Sequence, residues 1–243
     1  MRMSEEHARH ARPWETFWKE APAEPEAVFW DSAPEHTAVL HLPLLRPHFT
    51  GGLPLVDLGC GNGTQTVFLA GHYTPALGLD LSAEAISRAG RLPGADRVDF
   101  RQGDATDPEA ARRLHDELGD AHVYVRGVLH QSGPEDRPQI ARTLAALLGD
   151  RGRAFVVEPA EAAKGVLKGL MTRPEGPPAR VAAVFGHGIA PMEMPDASLA
   201  ELFTAAGLDV FDEGLLPLAT TETAADGSRV ELPSNWLVVG RNG

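Results

Sequence analysis

Val56-Asp57-Leu58-Gly59-Cys60-Gly61-Asn62-Gly63-Thr64 runs from an apolar strand through a turn into the start of a helix. Glycine at every second position (Gly59, Gly61, Gly63) removes the side chain where the backbone must turn sharply and approach a ligand closely. The helix beyond them presents unpaired N–H groups in its first turn. Strand, glycine turn and helix in this order also serve nicotinamide and flavin cofactors, whose G-x-G-x-x-G pattern seats a pyrophosphate on the helix start. Here that pattern lacks its third glycine, because the place is Thr64 counted from Gly59 and Thr66 counted from Gly61. Asp57, just before the turn, suits a cationic ligand better than a pyrophosphate.

Outward from this turn, short apolar runs alternate with amphipathic stretches at the spacing of βα units around a parallel sheet. The expected strands are Leu53–Leu58, Ala76–Asp80, Val98–Gln102, His122–Arg126 and Ala154–Glu158. Between them, Thr64–Gly71, Ser82–Ala89, Pro108–Leu118 and Arg137–Leu148 have helical character, with Ser82 as an N-cap and Gly149 as a stop. Residues 1–50 hold Trp14, Trp18 and Trp30 and a Pro-interrupted helical stretch, and are expected to form a helical cap. Residues 51–243 then form the main domain. Within it, about 160–195, two short helices (Glu161–Met171, Pro178–Phe185) and a Met-rich loop suggest a lid. Asp196–Ala206 reads as a capped helix, and Leu215–Thr220 with Asn235–Val239 as two closing strands.

The chain has 243 residues, enough for one substantial α/β core with a modest extra region. Its formal charge of −12 repels the phosphate backbone that supplies most non-specific nucleic-acid affinity, so no nucleic-acid partner is expected. No run approaches the roughly 18 consecutive apolar residues of a membrane helix, and residues 1–20 contain no apolar export core. The single cysteine, Cys60, cannot form an intrachain disulfide. A cytoplasmic protein, monomer or homodimer, without a membrane partner, is the expectation. No His, Cys and carboxylate cluster has metal-ligand spacing, so no metal is expected.

Asp57-x-Gly59-x-Gly61-x-Gly63 resembles motif I of the class I S-adenosylmethionine-dependent methyltransferases. Asp80 closes the second strand where that family places the carboxylate for both ribose hydroxyls. Asp104 follows the third strand where its acidic residue accepts from the adenine amine. The resemblance covers about residues 50–160 and 196–240. It implies a Rossmann-like α/β fold: a mostly parallel sheet of seven strands with the last antiparallel. The implied cofactor is S-adenosylmethionine, leaving as S-adenosylhomocysteine, and the implied binding residues are Asp57, Gly59, Cys60, Gly61, Gly63, Asp80, Leu81, Asp104, Ala105 and Arg126. Cys60 enters this set through its backbone; its side chain is read as structural.

Methyl transfer from a sulfonium is an in-line displacement, so the protein chiefly aligns the reacting atoms and needs a base only for a protonated acceptor. After the fourth strand, Val125-Arg126-Gly127-Val128-Leu129-His130-Gln131 is similar to the family's motif IV region. Arg126 stands where many members have another polar residue, and is suited to a carboxylate of cofactor or acceptor. His130 is the first candidate for general base; His36, His41 and His187 are weaker ones. Trp14, Phe17, Trp18, Phe29 and Trp30 in the cap, with His187, Met192 and Met194 in the lid, are candidate walls of an apolar acceptor pocket. The favoured function is methylation of a small, apolar or aromatic molecule, in the manner of secondary metabolism. A cyclase or regulatory module that binds the cofactor without methyl transfer, and an NAD(P)-dependent oxidoreductase, are the alternatives.

Overall fold

A computed structural model describes residues 5–242, with side chains from Ala11 onward. Residues 1–4 of the expected 1–50 cap, and Gly243, lie outside the described residues. The chain enters through α1 (Glu5–Glu20) and α2 (Ala38–Leu45). Five βα steps follow, with strands β1 (Leu55–Leu58), β2 (Ala76–Asp80), β3 (Val98–Gln102), β4 (His122–Arg126) and β5 (Arg153–Pro159). Helices α3 (Thr64–Leu69), α4 (Ala83–Ala89), α5 (Pro108–Leu118) and α6 (Arg137–Leu148) separate them. Beyond β5 come α7 (Ala163–Met171), α8 (Ala179–Gly186) and α9 (Ser198–Ala205), then β6 (Asp209–Leu215), β7 (Leu218–Thr223), β8 (Arg229–Leu232) and β9 (Ser234–Gly240).

The main sheet has seven strands in the order β3-β2-β1-β4-β5-β9-β6, and β9 alone runs antiparallel to its neighbours. Its central strands are continuous apolar runs because helices cover both faces: Leu55, Val56, Val123, Val125, Phe155 and Val156 are wholly buried. Local signals end the helices where the chemistry requires. Ser82 Oγ accepts from Ala85 N at the start of α4, and Asp107 accepts from Glu109 N and Ala110 N ahead of Pro108 in α5. Strand order reverses between β1 and β4, and the crevice outside the carboxyl ends of these strands is where open α/β sheets place ligands. No helix among the described residues is long and apolar enough to cross a membrane.

Two expected boundaries need correction. The first strand starts at Leu55 rather than Leu53. More consequentially, Leu215–Thr220 does not close the main sheet: that edge belongs to β6, while β7 pairs with β8 in a separate two-stranded sheet. β6 reads Asp-Val-Phe-Asp-Glu-Gly-Leu and carries an irregularity between Val210 and Asp212. Acidic side chains and a bulge on an edge strand break the apolar alternation that marks an inner strand, and discourage pairing with another chain.

Candidate functional site

The glycine turn is built as its spacing predicts. Gly59, Gly61 and Gly63 have φ of +77°, +56° and +82°, in the left-handed region that favours glycine. The N–H groups of Gly59 and Cys60 both donate to the Leu79 carbonyl, at 2.8 and 2.9 Å, which pins the turn to β2. Gly61 N donates to Asp80 Oδ2 at 2.8 Å, and Ser82 N to Asp80 Oδ1 at 2.9 Å. Asp80 is therefore oriented by backbone on both sides of the crevice; burial pushes its carboxyl up to about 6, against the pull of those N–H groups. Asp57 stands behind the turn, 3% exposed, where it accepts from Thr66 Oγ1. Burial raises it to about 6 as well.

In front of the turn lies a cavity of about 370 Å³, within the range of small-molecule sites. One wall is polar backbone and carboxylate: Gly59, Cys60, Gly61 and Asn62, then Asp80 and Leu81, then Asp104 and Ala105. Asp104 Oδ1 accepts from Thr106 N at 2.7 Å, which fixes its orientation. The other walls are mostly apolar, apart from Arg126 and the turn after β4. Trp14, Trp18, Phe29 and Trp30 come from the N-terminal segment, Leu167, Val181, Val184 and Met192 from the 160–195 segment, and Leu218 and Leu232 from the small sheet. The three tryptophans and Phe17 pack on one another, with Trp14 and Trp30 centroids 5.6 Å apart and Phe17 and Trp30 5.2 Å apart. Arg126 is the one arginine or lysine among the described lining residues, and it donates to the Trp30 carbonyl at 3.1 Å.

Of the residues singled out from sequence, Gly63 and Asp57 support the turn without lining the cavity. His187 faces elsewhere: Nδ1 lies 2.7 Å from the Ala183 carbonyl, Nε2 lies 3.1 Å from Glu20 Oε2, and the ring meets Phe17 edge-on. It borders a separate hollow with Glu20 and Arg180. His41 is buried between α2 and the sheet, away from the cavity, 2.7 Å from the Tyr124 hydroxyl, and burial holds it neutral with its pKa lowered to about 3. His36 is exposed on a short 3-10 turn, and Met194 packs into the core on the far side of the sheet. Among the described residues no group of three His, Cys, Asp or Glu could hold a metal.

His130 lines the cavity on a 3-10 turn after β4, and its partner is a residue that sequence reasoning misses. Glu158, 1% exposed near the end of β5, receives His130 Nδ1 at 2.7 Å and the main-chain N–H groups of Val128, Leu129 and His130 at 2.8, 2.8 and 3.1 Å. One signal points to it: an ionisable residue ending the buried run Ala154-Phe155-Val156-Val157 must find partners. Which partners it finds depends on the neighbouring strand, about which the run itself says nothing.

S-adenosylmethionine combines an adenine amine, a ribose diol and a sulfonium with an amino-acid tail. The polar wall fits it: two oriented carboxylates are spaced along the ends of β2 and β3, and the backbone is bare where a side chain would intrude. A Cβ at Gly61 would lie 3.1 Å from the Trp18 ring, so that crevice is kept narrow between backbone and indole. The family profile described as Methyltransferase domain matches residues 55–152. A crystal structure of a SAM-dependent methyltransferase from Anabaena variabilis ATCC 29413 is 29% identical, with a TM-score of 0.88 over 96% of this chain and 95% of that one. A structure solved for the conversion of a disulfide bond into a thioacetal group during echinomycin biosynthesis shares the fold at 19% identity, with a TM-score of 0.68 over 98% of this chain and 93% of that one. An uncharacterized RNA methyltransferase from Halalkalibacterium halodurans is 38% identical over 81 residues, 32% of this chain. The chain thus spans only 18% of that curated relative. Profile, near-complete structural overlay and the chemistry of the crevice wall agree: the chain carries a methyltransferase domain on the fold of the class I S-adenosylmethionine-dependent methyltransferases, with S-adenosylmethionine as the cofactor.

Proposed function

We propose that the chain methylates a small, predominantly apolar or aromatic molecule held between the glycine turn and the tryptophan cluster. The single observation that carries this is the continuity of the cavity: one volume of about 370 Å³ is polar at the Asp80 and Asp104 wall and apolar at Trp14, Trp30, Val181 and Leu218. When bound, S-adenosylmethionine supplies an electrophilic methyl group on a sulfonium sulfur. Asp80 would hold the ribose hydroxyls, Asp104 the adenine amine, and the backbone from Gly59 to Asn62 would lie against the nucleoside. Arg126 would neutralise a carboxylate of the cofactor or the acceptor. The aromatic and aliphatic walls would exclude water and orient the acceptor, the contribution that matters most to an in-line displacement. His130 would take the acceptor's proton.

In this reading residues 1–50 and 160–195 act as cap and lid. A polynucleotide acceptor fits less well, because the chain's net charge is −12 and the cavity is roofed by apolar side chains. The test has two arms. Calorimetric titration should show saturable binding of S-adenosylmethionine and S-adenosylhomocysteine and none of NAD(P)H. Incubation with a panel of phenols, apolar amines, thiols and a transcript pool should release S-adenosylhomocysteine with a small molecule. Release with the transcripts alone would overturn the acceptor class, and binding without release from any arm would favour a non-methylating module.

A further inference from the structure

Glu158 places a carboxylate at 1% exposure between β5 and the turn that follows β4. Burying a charge in this way is costly unless donors surround it. Its donors are unusual in kind: three consecutive main-chain N–H groups, from Val128, Leu129 and His130, and one imidazole. Arg137 adds positive potential from α6, where Nε donates to the Leu129 carbonyl and Nη1 to the Glu193 carbonyl. A carboxylate already filled by main-chain donors can only accept from the imidazole, so the ring proton sits on Nδ1. The ring's other edge then carries the lone pair. Nε2 lies 2.9 Å from the side-chain nitrogen of Gln131, itself a cavity residue, and that N–H donates to it. The turn is held a second time from the 160–195 segment, where Met192 N donates to the His130 carbonyl at 2.7 Å.

We infer that Glu158 is a positioning residue that fixes the 128–130 turn and the Nδ1–H tautomer of His130, so that the site is built for an acceptor bearing a removable proton, a hydroxyl or an N–H, rather than a tertiary amine or a thioether. The inference rests on the methyl-transfer reading for its acceptor class, though not for the tautomer. His130 Nε2 displaces the Gln131 N–H and takes the proton of the acceptor's X–H bond. The electron pair of that bond stays on X, which becomes the nucleophile. The imidazolium that results carries protons on both nitrogens, and its charge faces the Glu158 carboxylate at 2.7 Å.

Nitrogen-15 spectra of histidine-labelled, ligand-free protein read the tautomer directly, with His130 assigned by its disappearance in His130→Asn. At pH 8 the wild type should show His130 protonated on Nδ1 and bare on Nε2. In Glu158→Gln the amide oxygen is claimed by the main-chain N–H groups, which leaves the amide NH₂ donating toward Nδ1; the tautomer ratio should reverse, by at least about tenfold. Gln131→Ala should leave the wild-type tautomer in place. Should Glu158→Gln fail to fold by far-UV circular dichroism, the wild-type spectrum still decides, since an Nε2–H imidazole there overturns the inference. Release of S-adenosylhomocysteine by wild-type protein with a thioether or tertiary amine, but with no hydroxyl or N–H compound, would overturn the acceptor class. No release with any acceptor, beside an Nδ1–H spectrum, would sink the methyl-transfer reading while leaving the hold of Glu158 on His130 intact.

Discussion

At Gly59 two constraints coincide: φ is +77°, and a Cβ there would collide with Val128 Cγ2. The Val128 main chain is held by its N–H bond to Glu158 at 2.8 Å, and a β-branched side chain has few alternative rotamers by which to yield. Gly59→Ala should therefore cost about 2–4 kcal/mol, the left-handed strain plus a packing collision. Gly51 has the same φ of +77° with nothing within 4 Å of a Cβ, so Gly51→Ala should cost only the strain, about 1–2 kcal/mol. Urea unfolding of the two variants checks the difference, and equal losses would show that Val128 moves aside. Asp57 makes a pH-dependent case. Burial raises it from 3.8 to about 6, so between these values the folded chain holds a proton that the unfolded chain has lost. Its contribution to stability is complete below about pH 4 and disappears as pH rises through about 6. Asp57→Asn keeps an acceptor for Thr66 and abolishes that loss. The variant should be more stable than wild type by about 1–3 kcal/mol at pH 8 and no more stable at pH 4, by denaturant titration at both. Residues of this kind, tied to a turn within a few positions of the chain, are legible in the sequence itself. Glu158 is not, because its donors lie 28 to 30 residues earlier, in the turn that follows another strand, and neither is the outward turn of His187, because spacing does not encode which way a side chain points from a loop.

The inner elements of the parallel half are equally readable, since β1, β4 and β5 are largely buried apolar runs and α4 and α5 carry their own capping side chains, Ser82 and Asp107. β6 is hidden for the opposite reason: as an edge strand it is mostly exposed and acidic, and only its pairing with β9 makes it a strand. α1 shows how an element that the sequence marks only by its tryptophans is fastened. Glu15 accepts from Ser82 Oγ at 2.7 Å and from Glu84 N at 3.3 Å, adding a carboxylate to the start of α4, where the helix dipole favours one. Arg88, at the other end of α4, donates to the carbonyls of Ala21 and Pro22 at 2.6 and 3.0 Å, just past the end of α1. These ties lie outside the cavity, so they can be cut without touching it. Arg88→Ala should speed amide exchange across residues 11–22 by about tenfold, the loss of one or two partly exposed charge-assisted hydrogen bonds, and leave β1 and β4 unchanged. Exchange that accelerates equally in the central strands would mean that α1 opens only with the whole fold.

Across the whole molecule, the N-terminal segment, the 160–195 segment and the small sheet share one hydrophobic cluster with the near face of the main sheet: Phe17, Trp18 and Phe29 pack in it with Ala163, Val181, Leu218, Leu232, Phe155 and Trp236. A second cluster, including Val56, Val125, Ile140, Leu144 and Phe203, fills the far face. The site is therefore a seam among parts that already share a core, and a ligand bridging them stabilises them together. S-adenosylhomocysteine at a hundred times its Kd should add about 2.7 kcal/mol, which for a chain of this size raises Tm by about 5–10 °C. Three of the four tryptophans lie in the N-terminal segment and the fourth, Trp236, on β9, so fluorescence reports mainly on the first part and far-UV circular dichroism on the whole. Both signals should move to the higher temperature together. A rise in the fluorescence transition alone would mean that the N-terminal segment closes over the ligand as a separate unit, its packing on the sheet too weak to transmit the binding energy.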